Sequence, residues 1–434
     1  MSHVNSLFSF IDASPTAFHA CANICKELEA AGRKRLTEGE KWELEAGRGY
    51  FVTRNMSSVI AFDVPENADS LRIIAAHSDS PAFKVKENAE LSVRDKYTQL
   101  NVEKYGGMLF APWFDRPLSV AGRVLVRTEN GIEARLVDVD RDLLVIPNVA
   151  IHMNREVNDG FKYNAQTDMM PLFGDETAKD GFMKLIAETA GVPEEDIIGS
   201  DLFLYPRVKG TVVGHDGEYI LCPRLDDLEC AWSGLRAFLD AKKPVNGINM
   251  LCVFDNEEVG SGTKQGADST FLRDVIKRIF IALGAGKEDV YRALAASFML
   301  SADNAHAVHP NHPEKTDAKN CVFMNDGIVI KFNANQRYTT DGVSAAFFHK
   351  LLKENGIPYQ HFANRSDVAG GGTLGNISGS HVSINTLDIG LAQLAMHSPC
   401  ETAGAKDADH MVGGMTAFYD SHVSVGRDGE YFIN

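Results

Sequence analysis

Five short blocks of the chain gather residues that can move protons or hold cations. LRIIAAHSDSP ends with His77 and Asp79, and INMLCVFDNEEVGS carries Asp255, Glu257 and Glu258. SFMLSADNAHAVHPN carries Asp303, His306 and His309, and LDIGLAQLAMHS carries Asp388 and His397. PRLDDLEC sets Asp226 and Asp227 just before a helical stretch. Apart from this last block, each follows an apolar, strand-like run. Carboxylates massed at strand ends cannot all ionise without repelling one another unless cations or solvent compensate. Imidazole nitrogens among hard carboxylate oxygens suit zinc, with cobalt or manganese as alternatives. Two cations sharing a bridging carboxylate would explain why Asp and His are so numerous. Such a pair activates a water and clamps a carbonyl oxygen.

Each block also has a structural reading. His–x–Asp is commonly a hydrogen-bonded loop pair, Glu257–Glu258 a solvated turn, and Asp226–Asp227 a helix cap. His306, His309 and His312 have helix-like spacing, but Pro310 interrupts the helix that would align them. Recurrence at successive strand ends favours the chemical reading over repeated coincidence. Residues 370–375 (GGGTLG) satisfy the GxGxxG pattern of dinucleotide loops. The polar stretch Asn364–Asp367 separates them from any clean buried strand, so they read as a loop needing close backbone approach.

The elements that must position these groups divide the chain. Residues 14–32 (SPTAFHACANICKELEAAG) predict an amphipathic helix capped by Ser14 and stopped by Gly32. Strand-like runs follow at Tyr50–Thr53, Ser58–Val64 and Leu71–Ala76. Short strand-like pieces such as VAGRVLVRT and LFLYPRV then dominate as far as Pro223, and from Asp226 onward helix and strand alternate. That alternation predicts an α/β fold, with a mostly parallel sheet covered by helices on both faces. The catalytic domain is expected at 1–92 and 226–434, interrupted by a β-rich insert at 93–225. Ligand sites in such sheets lie at the carboxyl ends of the strands, where the polar blocks fall.

Composition sets outer limits. A chain of 434 residues predicts two or three domains. With 44% hydrophobic and 24% charged residues it has the balance of a soluble globular protein. A net charge of −16 argues against a nucleic-acid partner. No apolar run approaches the ~18–20 residues that span a bilayer, and the opening MSHVNSLFSFID does not read as a signal peptide. Seven scattered cysteines suggest reduced thiols in a reducing compartment. Cys21 and Cys25, one helical turn apart, read as buried helix cysteines.

Taken in order, the blocks resemble the aspartyl aminopeptidase family of di-zinc metallopeptidases, from SPTAFHA near the start to AMHS near the end. The most specific pieces are AHSDSP, PRLDDL, DNEEVGS, SADNAHAVHPN, IVIKFNANQRY and QLAMHS. The resemblance implies two Zn2+ per subunit bridged by Asp226, with His77 and Asp303 completing one site and Glu258 and His397 the other. It implies Glu257 as general base and Asp79 as the group that orients the His77 imidazole. It also implies that His152, in NVAIHMNREVN, reaches a neighbouring subunit's active site. Lys331, in IVIK, would sit in the substrate pocket. The implied activity is release of single N-terminal residues from peptides, with Asp and Glu preferred. The implied assembly is a homo-oligomer in which the insert is the dimerisation domain and dimers form a tetrahedral dodecamer. The chain begins close to SPTAFHA, without the long extension of vacuolar relatives, so a cytoplasmic address is expected. Alternatives are an aminopeptidase of broad or neutral specificity, another two-metal amide hydrolase on the same scaffold, or a non-catalytic scaffold holding a structural metal pair.

Overall fold

The runs LRIIAA, INMLCVF and SFML are apolar at consecutive positions, the pattern of strands covered on both faces. A computed structural model, which describes residues 3–433, sets them side by side at the centre of a nine-stranded sheet. The four central strands, Asn246–Phe254, Asn67–His77, Phe298–Ala302 and Asn385–Gly390, run parallel. Lys34–Leu36, Gly49–Arg54 and Ser58–Asp63 extend one side, and Ile328–Phe332 and Tyr359–Ala363 the other. Alternate residues of the strands feed two cores. Ile74, Ala76, Leu251 and Val253 pack with the helices Ala17–Ala30, Leu225–Asp240, Gly342–Glu354 and Asp407–Asp420. Ile73, Ala75, Met250 and Cys252 pack with Phe271–Ala282 and Lys287–Ala295. The expected α/β fold, with helices on both faces of a mostly parallel sheet, is the one observed.

A second, six-stranded sheet is antiparallel throughout, in the order Gly131–Asp138, Leu118–Thr128, Ile197–Pro206, Ala82–Val93, Tyr97–Tyr105, Leu172–Asp175. It has its own core, in which Phe83, Leu100, Trp113, Val124 and Leu204 pack with the helix Phe182–Ala190. This sheet takes its first strand from Ala82 rather than from 93, because Phe83 and Val85 are core residues here. Thr211–Val213 and Tyr219–Cys222, within the expected 93–225 insert, pair elsewhere. They join Glu401–Gly404, Ala392–Leu394 and Ala305–His306 in a five-stranded sheet. Met1, Ser2 and Asn434, the outermost residues of the segments 1–92 and 226–434, lie outside the described ones.

The start of the chain differs from its sequence reading. A helix at Val4–Asp12 buries Val4, Leu7, Phe10 and Ile11. The next helix begins at Ala17 after an extended Thr16, not at Ser14. Ser14 is engaged elsewhere, its hydroxyl accepting from Asn23 Nδ2 at 3.0 Å. Gly32, at φ 80°, turns the chain out of the helix as expected. All seven cysteines are free, and Cys21 and Cys25 are buried. Among the described residues no helix is long and apolar enough to cross a membrane.

Candidate metal centre

Parallel strands open their carboxyl ends on one edge of the sheet, and the polar blocks meet there. His77 ends its strand, Asp303 follows Phe298–Ala302, and Glu257 and Glu258 form a short turn after Asn246–Phe254. Asp226 and Asp227 occupy the non-helical start of Leu225–Asp240, joined by a cis peptide and preceded by Arg224 at φ 56°. His397, at φ 67°, lies in the turn after Ala392–Leu394.

Two groups of ligand atoms result, each compact enough to surround one cation. His77, Asp226, Asp227 and Asp303 form the first, and Asp226, Glu258 and His397 the second. Asp226 belongs to both. Its Oδ1 faces His77 Nε2 at 3.5 Å and its Oδ2 faces His397 Nε2 at 3.3 Å. Glu258 Oε2 stands 3.4 Å from the same His397 nitrogen. Asp226 Oδ1, Asp227 Oδ1 and Glu258 Oε1 are buried with no hydrogen-bond donor among the described residues. Buried acceptors are nearly always paired. Carboxylate oxygens left bare beside imidazole nitrogens are a donor set that fits zinc.

The electrostatics agree. Burial pushes the Asp227 and Glu258 carboxyls well above the usual carboxylate range. Burial raises Asp303 too, against the pull of Lys331. Burial also opposes ionisation of Asp226, yet His397 and His77 hold it below the usual range. Burial would lower His77, but Asp227, Asp226 and Asp79 outweigh it and keep the imidazole well above its ordinary value. Glu257 is raised to about 7, chiefly by burial. The side chain is half-buried, and its carboxylate has no hydrogen-bond or ion-pair partner among the described residues.

Backbone and carboxylate supports fix these groups. The carbonyl of Asp79 is 3.0 Å from His77 Nδ1, nearer than its carboxylate at 3.4 Å, so the carbonyl is the closer acceptor for an Nδ1 proton. The Asp79 carboxylate instead receives the amides of Glu257 (3.1 Å) and Glu258 (3.2 Å). Glu401 was not singled out in the sequence, where CETAG carries no pattern. It is buried and accepts from the amides of both Asp226 (3.0 Å) and His397 (2.7 Å). Asp227 was visible only as the neighbour of Asp226, and its Oδ2 takes the His77 amide at 3.1 Å.

Other sequence candidates fall elsewhere. Lys331 is 2% exposed, its Nζ donating to the carbonyls of Asp303 (2.7 Å) and Asn304 (3.1 Å) and lying 3.7 Å from Asp303 Oδ2. His152 stands in an exposed turn, flanked by the exposed Ile151 and Met153, and is in neither group of ligand atoms. His309 and His312 are exposed, the latter paired with Glu314. Asp388 is buried and receives the hydroxyls of Thr339 and Thr373. At Gly370 the nearest group is the Asn364 side chain of its own loop.

Comparison with known proteins agrees with this geometry. Residues 10–419 match the model of the aminopeptidase I zinc metalloprotease family, M18. A probable M18 family aminopeptidase 2 of Clostridium acetobutylicum is 45% identical over 429 residues, covering 97% of this chain and 99% of the relative. Among solved structures, that of the Ape4 and Nbr1 complex superposes with a TM-score of 0.93 at 34% identity, covering 96% of this chain and 85% of that one. The S. cerevisiae mApe1 dodecamer gives 0.85 at 27%, with 96% of each chain covered. A family match over nearly the whole length, and buried His and Asp side chains that could hold zinc at the strand ends, lead to one conclusion: the chain belongs to the M18 family and is a zinc aminopeptidase, a hydrolase of peptide bonds.

Proposed function

We propose that the chain releases single residues from the N-termini of peptides, with Asp and Glu preferred, at a site for two zinc ions. The observation that carries this reading is the division of Asp226 between two imidazoles, one oxygen to each. His77, Asp226 and Asp303 would hold one ion, with Asp227 beside them, and Asp226, Glu258 and His397 the other. Ions held there supply polarisation of the scissile carbonyl and a water of lowered pKa. Glu257 would take the proton from the attacking water and return it to the leaving amine, work suited to a buried carboxyl held above its ordinary value. Asp79 and Glu401 keep base and ligands in register through backbone amides.

We further assign the antiparallel sheet and its loops to dimerisation, within a homo-oligomer built like the S. cerevisiae dodecamer. The exposed apolar residues Val149, Ile151 and Met153 support this, because a neighbouring subunit would cover them and receive His152 in its cleft. A cytoplasmic location suits the free cysteines.

Replacing Glu257 with Gln should lower kcat by ~10²–10⁴-fold while zinc content stays at the parent level. Near-normal turnover would remove Glu257 from the role of base. Asp226→Asn should lose zinc from both sites, whereas Glu258→Gln should lose about one equivalent, because only Asp226 is shared. Metal analysis after dialysis reads the difference, and equal losses would argue against a bridging carboxylate.

The preference for acidic residues is assigned to the positive charge of Lys331, whose ammonium is already held by two carbonyls and Asp303. Lys331→Met should lower kcat/KM for aspartyl and glutamyl substrates by roughly 10–100-fold and leave alanyl and leucyl substrates little changed. An equal loss in both classes would mean that Lys331 supports Asp303 and that specificity arises elsewhere.

The in-trans role of His152 is tested by mixing subunits. Verified hybrids of His152→Ala with Glu257→Gln subunits should recover activity that neither variant has alone, since a donor of this kind contributes roughly 10²–10³-fold. No recovery would confine His152 to its own subunit.

A further inference from the structure

The turn that carries Glu257 and Glu258 is held from the antiparallel sheet. Tyr105, the last residue of Tyr97–Tyr105, donates its phenol hydrogen to Asp79 Oδ2 at 2.6 Å. Its oxygen accepts from Asn256 Nδ2 at 2.9 Å. Asn256 precedes Glu257 at φ 65°, and its side-chain carbonyl receives Gln265 Nε2 (2.7 Å) and Thr263 Oγ1 (2.8 Å). Asp79, in turn, receives the amides of Glu257 and Glu258. The phenol thus joins the two groups that set the turn, one before it in the chain and one beneath it.

The residues after Tyr105 touch the same place. A Cβ on Gly106, at φ 76°, would lie 3.2 Å from Glu258 Cβ, so the strand end lies against the turn. Leu109 N donates to the His397 carbonyl at 3.2 Å. The Tyr105 ring is fixed edge-on against Phe203, with centroids 5.6 Å apart. Burial, and then the charges of Asp79 and Asp255, hold the phenol far above its ordinary value, so it remains a donor.

We propose that Tyr105 is a positioning residue for the hydrolysis, acting through Asp79 and Asn256 to set the Glu257 carboxylate relative to the ligand cluster. The inference rests on Glu257 being the base. It also gives the antiparallel sheet a direct mechanical connection to the chemistry, besides any role in assembly.

Tyr105→Phe removes one hydroxyl and keeps the ring on Phe203. Kcat is expected to fall about tenfold, the worth of a hydrogen bond to a charged group, with KM within about twofold. Zinc content, assembly size and melting temperature should match the parent. In a Glu257→Asp background the same change should cost less than about twofold, because the base is already out of register and two losses acting through one group do not multiply. A kcat within about twofold of the parent would overturn the proposal, as would a loss recovered by added zinc or a full multiplicative loss in the Glu257→Asp background. Glu257→Gln measured alongside separates the two readings. Retained turnover there removes the base itself, whereas lost turnover there with normal turnover in Tyr105→Phe removes only the role of Tyr105.

Discussion

Asp226 offers one oxygen to His77 and the other to His397, and much of the surrounding structure is arranged around that divided carboxylate. Taking a carboxylate out of water costs several kcal/mol even after relaxation. Here Asp227, Asp303 and Glu258 are crowded beside it. Two imidazoles and the Lys331 ammonium are too few charges to neutralise the set. Zinc, which this family of metalloproteases uses, is suited to close that balance, and the protein's task is to hold the oxygens in place for it. It does so mainly with backbone amides. Glu401 accepts the Asp226 and His397 amides, Asp227 the His77 amide, and Asp79 those of the Glu257–Glu258 turn. Each anchor is itself a carboxylate, so the supporting layer is as acidic as the layer it supports.

Topology explains how distant segments reach one point. The central strands are parallel, so their carboxyl ends lie together whatever their order in sequence. After His77 the chain leaves for the antiparallel sheet, and Tyr219–Cys222 brings it back beside Glu401–Gly404 just before Asp226. That return strand matters to the site. It pairs Cys222 with Glu401, whose carboxylate then takes the Asp226 amide, and Glu401 lies four residues after His397.

Much of this was legible in the sequence because both signals are periodic or local. Unbroken apolar runs gave the buried parallel strands, and polar blocks after them located the site. The supports were less visible. Glu401 and Tyr105 each act through two hydrogen bonds, one of them to a residue far away in the chain, and such contacts leave no spacing to read. Arg224, Asn256 and His397 adopt positive φ although none is glycine. Composition does not announce such strain at functional turns. The antiparallel sheet begins at Ala82, ahead of the β-rich stretch expected from 93, and the reason is related. Ala82–Val93 alternates apolar and polar residues like any strand, and only its pairing with Ile197–Pro206 and Tyr97–Tyr105 assigns it to one sheet rather than the other.

The same logic explains how two adjacent glutamates come to differ. Glu257 and Glu258 share one short turn between Asn256 and Gly260, both in the left-handed region. Successive residues on so tight a turn project in different directions. Glu258 is aimed at His397, and its carboxylate is almost fully buried. Glu257 remains half-buried, with no partner for its carboxylate among the described residues. Both amides end on the single Asp79 carboxylate, at nearly equal distances. Asp79 therefore holds both residues of the turn through one carboxylate. Separation between the two glutamates is set by the turn, and their common placement by Asp79. The second carboxylate oxygen of Asp79, where the Tyr105 hydroxyl and the Glu258 amide meet, is thus where the antiparallel sheet reaches the turn.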